Sequence, residues 1–150
     1  MDQRQDKLFG NVIKTAILWG LLQVVGGWRA FLALLGDGYD FGTWGVLVLY
    51  ILALLGLDFA LFRLNSTNAA KGWAKYWTVC AAVLLLARGL HGTDVLEATA
   101  EIFLILLTPY YTIYPLWDCL FNNTGYIAFI LILCAAQLVY LLYLARRAKK

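Results

Sequence analysis

Five apolar runs separated by short polar breaks take up most of this chain, at residues 15–35, 43–64, 73–91, 95–117 and 125–145. A helix needs roughly 20 such residues to cross a bilayer. The first, second, fourth and fifth runs reach that length. The third is weaker, because its uncharged stretch, Tyr76 to Ala87, is closed by Lys75 on one side and Arg88 on the other. Both of those side chains can snorkel to opposite interfaces, which keeps a span open there. The chain is 63% hydrophobic and 14% charged, against about 45–50% and about 25% in soluble domains. A water-soluble fold could not cover that much apolar surface, whereas lipid has no need of the cover. The expected class is therefore an all-α integral membrane protein, one polytopic domain over residues 1–150, with the lipid bilayer as its first partner.

The breaks between runs carry turn chemistry. Gly36-Asp37-Gly38 with Asp40 marks the first, Asn65-Ser66-Thr67-Asn68 the second, and Asn122-Asn123-Thr124-Gly125 the last. Gly89 and Gly92 close the third run, and Asp94-Val95-Leu96-Glu97 has the spacing of a capping box. A new helix is expected to start near residue 94. The polar N-terminus and the length of the first apolar run argue for a retained first helix rather than a cleaved leader.

Two arrangements fit. In a bundle of five transmembrane helices, Arg4, Lys7, Lys14, Arg63, Lys71 and Lys75 share one side, and Arg88 shares the other with Arg146, Arg147, Lys149 and Lys150. In the alternative, four spans plus one interfacial or re-entrant helix, the basic residues of both termini gather on one side. The rule that basic loops stay cytoplasmic prefers the alternative. Run length and the need to satisfy every backbone group in lipid prefer five. Five is taken as the working count, which puts the termini on opposite sides, with the cell (plasma) membrane as the expected location.

Charges inside apolar runs are costly and so mark candidate sites. Arg29 and Asp58 each lie six residues inside the end of a run, at a depth of about 9 Å. His91, Asp94, Glu97 and Glu101 gather with Arg88 at one rim. Such a set can relay protons, and together with Arg29 and Asp58 it could form a substrate or ion path. The ordinary alternative is a capped helix start with solvated acids. Arg29 and Glu101 sit at equal depth in the five-span arrangement and are expected to pair. Pro109 and Pro115 predict kinks in the fourth run, with nearby hydroxyls covering the freed carbonyls. Gln23 and Gln137, near mid-run, are expected to bond across helices. The aromatic residues near run ends, Trp28, Trp44, Trp73, Tyr76, Trp77, Tyr110, Tyr111, Tyr114, Trp117 and Tyr126, are read chiefly as interface belts.

No metal motif, nucleophile set or nucleotide loop is present in the sequence, so the expectation leans away from an enzyme, and an intramembrane lipid-modifying enzyme comes last. The net charge of +3 forms no basic stripe, which argues against nucleic acid. Cys80, Cys119 and Cys134 make no paired framework. The leading reading is a non-enzymatic transporter or channel-like protein for a small solute. The alternative is an accessory or assembly subunit of a larger membrane complex, with a homo-oligomer as a further arrangement. Substrate and cofactor are not readable.

Overall fold

The computed structural model describes residues 3–36, 38–89, 94–122 and 124–149, without the side chains of 94–97. Among them every regular element is a helix: α1 (Gln3–Leu35), α2 (Phe41–Leu64), α3 (Thr67–Gly89), α4 (Asp94–Leu107), α5 (Tyr110–Phe121) and α6 (Tyr126–Arg147). Three of them, α1, α2 and α6, are long and apolar enough to cross a membrane. At 1.5 Å rise per residue α1 is about 50 Å long, so it continues well past a hydrocarbon core of about 30 Å. The polar segment before residue 15 is thus the first part of α1 rather than a separate tail.

The helix ends follow from local chemistry. Asp40 caps α2, its Oδ1 accepting from Thr43 N at 2.7 Å and from Thr43 Oγ1 at 2.6 Å. Asn65 and Asn122, both at φ 49°, end α2 and α5 in the left-handed conformation that asparagine tolerates. A separate helix does begin at Asp94, as the sequence indicates.

The fourth apolar run differs from expectation. It is two helices, and the five-helix count becomes six among the described residues. Pro109 has no N–H to give Ile105, and the N–H of Tyr110 turns to the Thr108 hydroxyl at 3.3 Å. The Thr108 hydroxyl itself bonds the Leu104 carbonyl at 2.7 Å. The ladder stops there. Pro115, by contrast, lies inside α5 without ending it.

Beyond the break the chain reverses. One end of the bundle collects the start of α1, the end of α2, the start of α3 and the end of α6. Gln5 and Phe9 line a hollow with Leu64, Asn65 and Ser66, and Thr67 Oγ1 donates to the Ala145 carbonyl at 3.3 Å. α4 starts at the opposite end and descends beside α3, with Glu101 at Arg88 and Leu107 at Tyr76 and Cys80. α5 then climbs back, because Asp118 meets Tyr39 in the α1–α2 connection at 3.2 Å. At about 21 Å and about 18 Å, neither half could cross alone. Both described chain ends consequently lie at one end of the bundle.

Close approach at the break depends on two glycines of α1. A Cβ on Gly26 would stand 2.8 Å from Thr112 Cγ2 and 3.0 Å from Val46 Cγ1, and one on Gly27 would stand 3.2 Å from the Ile105 carbonyl. Gly26→Ala should therefore destabilise by about 1–3 kcal/mol, the usual range for overpacking. Gly20, with open space around its Cβ position, is the control, and Gly20→Ala should be neutral or stabilising. Thermal unfolding of both variants in one detergent reads the difference, and equal melting temperatures would remove the glycine argument.

Candidate functional site

The break leaves backbone carbonyls in the interior of the bundle. In an unbroken helix the N–H groups of Tyr110 and Tyr111 would serve the carbonyls of Leu106 and Leu107. Side chains from other helices take them instead. Gln23 Nε2 donates to Leu106 O at 3.4 Å, and the Cys80 thiol donates to Leu107 O at 3.2 Å. The Tyr76 hydroxyl lies 3.1 Å from Leu107 O and 2.9 Å from Gln23 Oε1, one proton facing two acceptors. Tyr50 donates to Gln23 Oε1 at 3.2 Å, and Thr112 Oγ1 donates to the Gln23 carbonyl at 2.9 Å. Gln23 is 3% exposed and Thr112 1%, so one glutamine ties α1, α2, α3, α4 and α5 at a single point. Trp19, one turn before it, packs on Tyr50, Trp73 and Tyr76 with ring centroids 5.1–5.3 Å apart. The expected bridging by Gln23 is thus seen, and its convergence with the proline break is what the sequence reading missed. The only hint was that Gln23 and Pro109 both lie near the middle of their runs.

The rim holds a second cluster. Arg88 Nη1 bonds Glu101 Oε1 at 3.0 Å, and Tyr111 donates to Glu101 Oε2. The Arg88 guanidinium also stands over the Tyr110 ring at 4.6 Å. Tyr110 packs in turn on Tyr114 and Tyr126, and the Tyr126 hydroxyl donates to the Tyr110 carbonyl. These tyrosines are buried within the bundle, and so is Trp77. Interface belts do not describe them, whereas Trp28, half-exposed, suits that role. His91 lies outside the described residues, as do the side chains of Asp94 and Glu97, so of the expected rim set the structure places Glu101 with Arg88.

Arg29 is elsewhere than expected. Its Nη2 bonds Asp40 Oδ2 at 2.6 Å, and both side chains are well exposed. The expected Arg29–Glu101 pair is not formed, since each has a nearer partner. The Thr43 hydroxyl and amide, and then Arg29, hold the Asp40 carboxyl down at about 2. The unfolded value is near 3.9, so the stabilising contribution is present above that value and lost as pH falls towards 2. Burial, and then the Asp118 carboxylate, push the Tyr39 phenol above its ordinary value. Asp58 meets α6, accepting from Gln137 Nε2 at 2.9 Å, and its backbone carbonyl accepts from the Tyr140 hydroxyl at 3.0 Å. Cys80 and Cys134 are buried free thiols and Cys119 is exposed. Among the described residues no cluster of three or more metal-ligating side chains occurs.

Apolar helices joined by interior polar ties, with bulky apolar side chains facing outwards, define a multi-pass helical membrane protein. Subunit 14 of the NADH-quinone oxidoreductase of Thermus thermophilus is 38% identical over 109 residues. That match covers 65% of this chain and 25% of the subunit, so the chain spans about a quarter of its relative's length. No family model matches the chain, and no solved structure matches it. The similarity is to a numbered subunit of an oxidoreductase, and it gives the transport reading no support.

Two measurements follow. Gln23→Leu strips the hydrogen-bond partner from the Leu106 carbonyl and from the Tyr50 hydroxyl, while Tyr76 keeps the Leu107 carbonyl, and should cost at least about 1–3 kcal/mol in thermal stability. A loss no greater than that of Thr15→Val, on the exposed part of α1, would deny Gln23 its central place. A double-mutant cycle on Arg88→Ala and Glu101→Gln should give coupling above about 0.5 kcal/mol, and the same cycle on Arg29 and Glu101 should be additive. The reverse pattern would restore the Arg29–Glu101 pair.

Proposed function

We propose that this chain is a membrane-embedded accessory or assembly subunit of a larger complex, and that it acts by presenting helix surfaces to neighbouring chains rather than by moving a solute. The observation that carries the reading is the 38% identity to an oxidoreductase subunit. The charged side chains support it too. Arg29, Arg88 and Glu101 each have a charged partner within hydrogen-bonding distance, which suits ties between segments better than an open path. Bulky side chains remain outward along α1 and α2, among them Ile17, Leu21, Leu52, Leu55 and Phe59. Lipid or partner helices would cover them equally well.

The arrangement in the membrane belongs to the same proposal. α1, α2, α3 and α6 cross, while α4 and α5 form a re-entrant hairpin. This is the four-span alternative, with the re-entrant element in the fourth run instead of the third. It places Arg4, Lys7, Lys14, Arg63, Lys71, Lys75, Arg146, Arg147 and Lys149 at one end of the bundle, so that end faces the cytoplasm across the cell membrane. Of the described basic residues, only Arg29 and Arg88 stand towards the other end.

Reporter fusions at both termini, combined with purification from native membranes, test the two parts separately. Cytoplasmic signals at both ends support the re-entrant arrangement, and opposite signals overturn it. Stable co-purifying membrane chains support the subunit reading, whereas a clean homo-oligomer overturns it.

A further inference from the structure

Asp58, unlike Asp40 and Glu101, has no cation bonded to it. Its Oδ2 accepts one hydrogen bond, from the neutral Gln137 amide at 2.9 Å. Its Oδ1 is solvent-inaccessible and has no partner, and the Gln137 Oε1 is in the same state. The two orphan atoms belong to the two partners of one hydrogen bond. Both are acceptors when the carboxyl is ionised, so they cannot satisfy each other. Turning the amide over exchanges its two ends and leaves the pair one proton short again.

The surroundings do not make good the deficit. From α6 the titratable neighbour is Tyr140, whose hydroxyl is committed to the Asp58 backbone carbonyl. Arg147 of α6 lies over the Phe62 ring at 4.1 Å, and Arg63 of α2 lies over the Phe59 ring at 5.7 Å. Both cations stand on aromatic faces nearer the basic end. On the α1 side, a Cβ at Gly56 would meet the Thr15 methyl at 3.9 Å. An ionised Asp58 would therefore be a lone charge about 9 Å inside the end of α2, where charge without a partner is expensive. One proton on Oδ1 removes the charge and supplies the missing donor. Acid and amide can then bond through both of their edges, each donating once and accepting once.

We propose that Asp58 and Gln137 form a proton-binding acid–amide pair that holds α2 to α6, with Asp58 as a neutral carboxylic acid at neutral pH. The ligand is a proton, and the site stands apart from the helix break and from the rim cluster. The pair does not depend on the subunit reading, since it requires only that this part of α2 be out of water.

Infrared spectroscopy of the protein in lipid at neutral pH decides it. The wild type minus Asp58→Asn difference should show the carbonyl stretch of a protonated carboxyl, moving slightly in heavy water. The substituted amide keeps an acceptor and a donor for Gln137, so the variant should fold with unchanged stability. Should it fail to fold, wild-type protein carrying carbon-13 at the aspartate carboxyls reads the same band by its isotope shift. Gln137→Leu should shift that band to higher frequency as its hydrogen bonds are lost. A difference spectrum showing the paired carboxylate stretches instead would overturn the proposal, whatever the co-purification experiment returns.

Discussion

A backbone carbonyl without a donor is costly in a hydrocarbon medium, and the break at Thr108-Pro109 creates such carbonyls in the middle of the bundle. The rest of the architecture answers that cost. Gln23, Tyr76 and Cys80 bring donors from α1 and α3 to Leu106 and Leu107. To reach them, α1 must lie close to α4 and α5, and Gly26 and Gly27 make that approach available. Tyr50 in turn donates to the Gln23 side-chain carbonyl. Sequence, close packing and polar satisfaction are therefore one problem at this point. A larger residue at Gly26 would disturb the hydrogen bonds as well as the packing.

Reversal at the break also sets which ends of the chain meet. A continuous fourth helix would carry α6 in the opposite sense, and its end would lie away from the start of α3. With α5 turned back, α6 descends antiparallel to α3, and Thr67 meets Ala145. The charge distribution of the sequence already preferred this outcome. The sequence question between four and five spans turns on the third run, 73–91, and on the protein cover that a half-span needs in lipid, whereas the reversal lies in the fourth run, 95–117. Hydropathy is a scalar along the chain and carries no sign for direction. Pro109 was legible as a kink, but whether a kink bends a helix or folds it back depends on what receives the freed carbonyls. Those receivers lie about 30 and 85 residues upstream, at Tyr76, Cys80 and Gln23.

Other features divide along the same line. Helix limits near Leu35, Leu64 and Asp94 were readable, because Gly, Asn and Asp have local conformational preferences that tertiary packing did not override. Bridging by Gln23 and Gln137 was readable in kind, since an amide in an apolar run has to find a partner. The tyrosines of α5 and α6 were misjudged. A tyrosine near a run end suits an interface and a buried cluster equally well, and only the return of α5 against α6 brings Tyr110, Tyr114 and Tyr126 together. Arg29 was misplaced for a related reason. Equal depth was treated as proximity, while Asp40 lay eleven residues away across a short connection.

Asp40, Glu101 and Asp58 can be ordered by what meets their charge. Asp40 stands in the open connection before α2, where capping and solvent suffice, and its exposed pair with Arg29 adds little. Glu101, partly buried, has a guanidinium on one oxygen and a phenol on the other. A charge that far out of water is tolerable only with a partner and further hydrogen bonds. Asp58 has no cation, its Oδ1 is closed off from solvent, and its one bonded neighbour is an amide. An arginine or lysine there would have neutralised it at the expense of a second desolvated charge. A glutamine avoids that cost, provided that the carboxyl keeps its proton. Removing the charge with a proton takes up no further volume, and the space between α2 and α6 is small enough for Gln137 to reach Asp58 directly.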